Sequence, residues 1–175
     1  KGGMNVMLEV SVYDVLLSLS NHSAEPDFVA ALNKARTMAP SENFVDRFAR
    51  AYEEINPQGK LAAIFSTIEL RDKIPFNASN EQVLKVLREE SEGAIENSYT
   101  IIRNRIDRFG VTQPNVQRLE RSGRILVELP GVKDPERVRK LLQGTASLEF
   151  WETFENREVY DVLLRVNELA SRLNG

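Results

Sequence analysis

The chain has a single histidine, His22, and no cysteine, so a zinc site built on thiolates or on two imidazoles has no ligands to use. His22 sits in the run Ser20-Asn21-His22-Ser23, whose composition is that of an exposed loop. Serines and aspartates are plentiful, but no Gly-x-Ser-x-Gly elbow presents a serine for nucleophilic attack. Two adjacent acid pairs, Glu53-Glu54 and Glu89-Glu90, invite comparison with the carboxylates of a glycosidase. Neighbouring residues on a helix point about 100° apart, so neither pair converges on one bond, and a solvated helix face explains both. Gly2-Gly3 is not followed by the spacing of a phosphate loop and reads as a close-packed entry to a strand. The expected protein is not an enzyme and carries no catalytic, metal or cofactor residues.

A second cluster is basic: Arg103, Arg105, Arg108, Arg118, Arg121 and Arg124. Neither neighbouring strand candidate carries an aromatic on which a base could stack, so pairing with Glu96, Asp107, Glu120 and Glu128 is the expected role. The net charge of −3, with 28% charged residues, suggests neither nucleic acid nor an anionic membrane as a partner. Hydrophobic content is 42% over 175 residues, enough for a packed core without staples. The longest apolar runs, such as Leu61 to Phe65, are far short of the roughly 18 to 20 residues that cross a bilayer. Lys1 leads straight into a strand pattern with no signal peptide before it, as if excised from a longer protein.

The elements that position these residues follow from periodicity. Met4, Val6, Leu8 and Val10 alternate with Asn5, Met7 and Glu9, which predicts a half-buried first strand. From Val12 to about Ser91 the period is helical, with Phe28, Leu32, Ala35 and Met38 on one stripe and Phe44, Phe48, Tyr52 and Ile55 on another. Asn56-Pro57-Gln58-Gly59 ends the second stripe, and Lys73-Ile74-Pro75-Phe76 is expected to be an extended link. A long helix opens near Ser79 or Asn80, bends or restarts around Gly93, and stops at Gly110. Asn115 to Glu120 and Arg124 to Leu129 read as a hairpin closed by Pro130-Gly131. Asp134 caps a helix with Pro135 at its first position, a last strand runs from Ala146 to Trp151, and a final helix carries Val159 to Leu173.

With the helical block set aside, the order is that of a split βαβ unit. The expected fold is α+β: a ferredoxin-like, four-stranded antiparallel sheet with a large helical insertion after the first strand and a C-terminal helix. Residues 1–11 plus 93–153 form the base, 12–92 the insertion, and 154–175 a helix leading toward a further head subdomain. Gly2, Gly3, Gly110, Pro130, Gly131, Asp134 and Pro135 are the positions expected to shape the backbone.

Several segments resemble the SecD family of protein-export membrane proteins. Lys1 to Val10 is similar to the end of the family's Gly-Leu-Asp-Leu-x-Gly-Gly stretch, whose aspartate would precede Lys1 and is absent here. Arg103 to Val111 is similar to its Arg-Val-Asn-x-Leu-Gly-Val segment. Arg124 to Val132 with Asp134 to Arg137 resembles its strand, Pro-Gly turn and capped helix, and Leu148-Glu149-Phe150 the strand beyond. The resemblance covers residues 1 to 11 and 94 to 153; residues 12 to 91 look like a lineage-specific insertion. It implies a periplasmic domain of an inner-membrane subunit that assists proton-gradient-driven export, held between transmembrane helices. The implied partners are SecF, the SecYEG translocon, YidC and unfolded secretory polypeptide, met through the open sheet face and an apolar groove beside the insertion. Two other readings are a ferredoxin-like regulatory module binding a small molecule, and an acylphosphatase-like enzyme. The latter needs a phosphate-cradling loop after the first strand, where Ser11-Val12-Tyr13-Asp14 has no glycine.

Overall fold

The computed structural model describes residues 3–40, 42–119, 123–143 and 165–167. The chain divides into two compact units, one of Lys1–Ser11 with Ile95–Gly175 and one of Val12–Ala94.

The helical unit contains α1 (Val12–Leu19), α2 (Pro26–Thr37), α3 (Phe44–Ile55), α4 (Ala62–Phe65) and the first half of α5 (Asn80–Phe109). Three of these helices start at a side-chain cap. The Glu25 carboxylate accepts from the backbone N–H groups of Asp27 and Phe28 at 3.2 and 2.6 Å, with Pro26 in the first turn where its missing donor costs nothing. Asn43 accepts from Asp46 N–H at 2.9 Å to open α3. Ser79 and Gln82 form a reciprocal capping box at the head of α5. The apolar stripes meet in a core where Phe28, Phe48 and Phe65 stand edge to face, with centroids 5.5 to 6.3 Å apart. Tyr52 lies 6.0 Å from Phe48 in the same core.

The link expected to be extended at Lys73 to Phe76 is instead a series of turns. Ile74 N–H donates to Leu70 C=O at 2.6 Å, which folds the segment back and buries both side chains. Apolar burial outweighs the extended bias that Pro75 imposes on the residue before it. Likewise α5 runs unbroken through Gly93.

The sheet unit contains β1 (Gly3–Glu9), the second half of α5, β2 (Asn115–Leu119), β3 (Arg124–Pro130), a helix at residues 135–143 (α6) and β4 (Arg165–Asn167). The fold is α+β, with a three-stranded antiparallel sheet in the order β2-β3-β1. Val6 pairs with Val127 and Leu8 with Ile125. These four, with Leu129, are buried, as are Ile102 and Ile106 of α5 and Val138 and Leu142 of α6. On its other side β1 pairs at Met7–Glu9 with β4, antiparallel.

The strand expected at Ala146 to Trp151 lies outside the described residues. So does the helix expected over 154–175 apart from residues 165–167, and those three are a strand, not a helix. The free backbone groups along β1 offer hydrogen bonds that a locally helical period does not outweigh.

Candidate functional site

The chemically interesting side chains do not converge. His22 is exposed at the end of α1 with φ of 54°, its backbone N–H bonded to Leu17 C=O at 2.9 Å, so it belongs to a helix terminus. Glu54 is ion-paired with Lys34, which holds its carboxyl below the usual range, and Glu90 pairs with Lys73, raising the ammonium. Among the described residues no group of three His, Asp or Glu is placed to hold a metal ion.

The backbone-shaping positions gather more closely. Gly3 pairs with Pro130 at one end of the sheet, where Gly131 turns the chain with φ of +71°. Three residues on, the Asp134 carboxylate accepts from Arg137 N–H at 3.1 Å and Pro135 begins α6. Gly110 leaves α5 with φ of +77°. Gly2 lies outside the described residues. A Cβ on Gly3 would meet Leu129 and Pro130 at 3.7 Å, which is ordinary contact, so the close packing expected there is mild.

One constrained glycine escaped the sequence reading. A Cβ on Gly59 would fall 2.6 Å from the Tyr52 hydroxyl, and the loop is held there by Asn80, which accepts from Leu61 N–H and donates to Gly59 C=O, both at 2.9 Å. The Asn56-Pro57-Gln58-Gly59 turn signal was visible, but its contact with Tyr52 depends on tertiary packing. Burial, then the charges of Glu25 and Asp27, push the Tyr52 phenol above its usual value.

Three surfaces remain. The outer sheet face aligns Asn5, Glu128 and Asn115 in one row, Met7, Leu126 and Gln117 in the next, and Glu9, Arg124 and Leu119 in the third. Asn115 donates to Glu128 at 2.6 Å, and Arg124 lies 4.0 Å from Glu9. In the helical unit, Ile68 and Phe76 are 83% and 79% exposed, although buried Leu70 and Ile74 anchor the segment that carries them. The arginine cluster pairs only in part: Arg118 meets Glu96 at 2.6 Å, whereas Arg103 and Arg108 have no ion pair among the described residues.

The second half of α5, the hairpin and α6 coincide with a known module. Residues 95–155 match the family model described as protein translocase subunit SecDF, P1 domain, N-terminal. The chain is 40% identical over 151 residues to the protein translocase subunit SecD of Rhodothermus marinus, covering 86% of this chain and 24% of that one. The chain belongs to the SecD family.

Other SecD relatives agree. The protein of Pseudomonas aeruginosa is 32% identical over 180 residues, covering 90% of this chain and 28% of its own length. That of Aquifex aeolicus is 36% identical over 129 residues, covering 74% and 22%. This chain thus spans roughly a quarter of these three SecD proteins. A match taking in 86% of the chain has to run through most of Val12–Ala94, so the helical unit is no peculiarity of this SecD sequence. No solved structure matches the chain significantly.

Proposed function

We propose that this chain is a non-enzymatic, extracytoplasmic base of a protein-export accessory subunit, and that it contacts unfolded polypeptide or the translocon while energy enters elsewhere as a proton gradient. The observation that carries this reading is the match of residues 95–155 to a translocase P1 domain, falling on elements with buried apolar side chains such as Ile102, Ile106, Ile125, Val127, Val138 and Leu142. Among the described residues no helix is long and apolar enough to cross a membrane; this reading tethers the domain to the inner membrane. SecF, SecYEG and YidC are the partners this reading assigns.

The base would comprise 1–11 plus 93–153 with the ferredoxin-like order, 12–92 would be the inserted helical unit, and 154–175 would lead toward a head subdomain. Antiparallel pairing of β1 with both β3 and β4 supports that order. Gly110, Pro130, Gly131, Asp134 and Pro135 would set the turns that hold the base in shape, with Gly2 and Gly3 at its entry. Contact would run through the Met7–Leu126 row of the open sheet face and through Ile68 and Phe76, whose exposure on an anchored segment favours a partner. None of the relatives supports a small-molecule regulatory module.

The test is site-specific photocrosslinking from positions 68, 76 and 126 of the full-length membrane protein during export of a stalled secretory precursor. Adducts to precursor or translocon are expected. Their absence from all three positions, with export intact, would sink the assignment.

A further inference from the structure

The described part of the sheet unit is more basic than the net charge of the chain suggests. That described part carries ten Lys and Arg against six Asp and Glu, and the described part of the helical unit nine against thirteen. Most of the sheet unit's acids are engaged: Glu96 by Arg118, Glu136 by Arg139 at 2.7 Å, Glu128 by Asn115, Glu9 by Arg124, and Asp134 as the α6 cap. Asp107 stands one helical turn from Arg103, where the two charges offset.

Arg108, Lys133, Arg137 and Lys140 remain, all exposed. The Arg137 guanidinium lies 5.3 Å above the Phe109 ring, which brings the start of α6 to the end of α5 and so to Arg108. Lys133 precedes the Asp134 cap and Lys140 lies one turn beyond Arg137. Helix stability accounts for only part of this set. Arg108 and Lys140 suit the negative ends of their helices, but Lys133 and Arg137 sit at the positive end of α6, where a cation is disfavoured.

We propose that this helical end of the sheet unit docks on an anionic phospholipid surface. Lipid is favoured over nucleic acid because β1, β2 and β3 have no aromatic side chain for base stacking. Four long, flexible side chains, Arg108 at the end of α5, Lys133 before α6 and Arg137 and Lys140 on it, match a fluid sheet of headgroups that needs no fixed spacing of partners. Attraction at such a surface strengthens binding about fivefold per cation and is lost within a short Debye length in high salt.

The experiment is flotation of the 175-residue chain with phosphatidylcholine vesicles, with and without phosphatidylglycerol, at low and high salt. Binding is expected only with phosphatidylglycerol and only at low salt. The R108Q/K140Q variant should bind about 25-fold more weakly, while K34Q/R50Q in the helical unit, with the same change in charge, binds as the parent does. Circular dichroism checks that both variants fold. Equal binding to neutral vesicles, equal weakening by both variants, or tighter binding to single-stranded nucleic acid than to vesicles would each overturn the proposal.

Discussion

The Tyr52 ring occupies the space where Gly59 would carry a side chain: a Cβ there would lie 2.6 Å from the hydroxyl and 2.8 and 2.9 Å from two ring carbons. Tyr52 is buried against Phe48 and has little freedom to withdraw. Gly59→Ala is therefore expected to destabilise the chain by about 1–3 kcal/mol through overpacking. Urea unfolding measures this, and an unchanged midpoint would show that the loop moves away freely.

Asn80 holds the same loop with two backbone hydrogen bonds. Asn80→Ala leaves Leu61 N–H and Gly59 C=O to find water or go without, at a cost of about 1–3 kcal/mol. Asn80→Asp keeps the acceptor for Leu61 and loses the donor to Gly59. It should fall between the parent and the alanine variant in the same measurement.

Burial is the first cause of the raised Tyr52 phenol, followed by the charges of Glu25 and Asp27. Folded and unfolded chains both keep the proton below about pH 10, the ordinary tyrosine value. Above it the unfolded chain ionises first, so this group's contribution to stability falls with rising pH until the folded phenol titrates too. Between about pH 9 and 11, Tyr52→Phe should lose less stability than the parent. Parallel curves for the two proteins would show that Tyr52 is not the source.

Gly110 and Gly131 have positive φ and open space where a Cβ would go. Substitution therefore meets backbone strain alone. Gly131→Val should cost about 1–2 kcal/mol and Gly131→Asn clearly less, since asparagine tolerates the left-handed region. Equal effects would point to crowding instead. Thermal unfolding of the two variants makes the comparison.

Much of this architecture was legible because it rests on local chemistry. Gly110, Asp134 and Pro135 mark helix ends through conformational preferences that need no tertiary partner, and Val6, Leu8, Ile125 and Val127 alternate as a half-buried sheet requires. The failures lie where distant parts of the chain decide. Ile74 is drawn into a core that the Pro75 signal gives no hint of, and Gly59 owes its constraint to a side chain in α3. Gly93 looked like a break, but a single glycine weakens a helix by only about 1 kcal/mol, and α5 absorbs that. For the arginines, local spacing suggested salt pairing throughout, whereas Arg124 lies beside Glu9, which is remote in sequence, and Arg137 stacks over the Phe109 ring.

The pairing of β1 with β3 has a bearing on the order in which the chain acquires its shape. Val6 has to wait for Val127, and the whole helical unit is made between them. Closing so long a loop while it is still flexible carries an entropic penalty, which is reduced if the intervening helices have already condensed. Phe28, Phe48 and Phe65 are near neighbours in sequence by comparison, so their core is the natural first event. During synthesis β1 would emerge early and stay unpaired longest, which makes its exposed edge the vulnerable feature of the nascent protein and the prior folding of the helical unit its main protection.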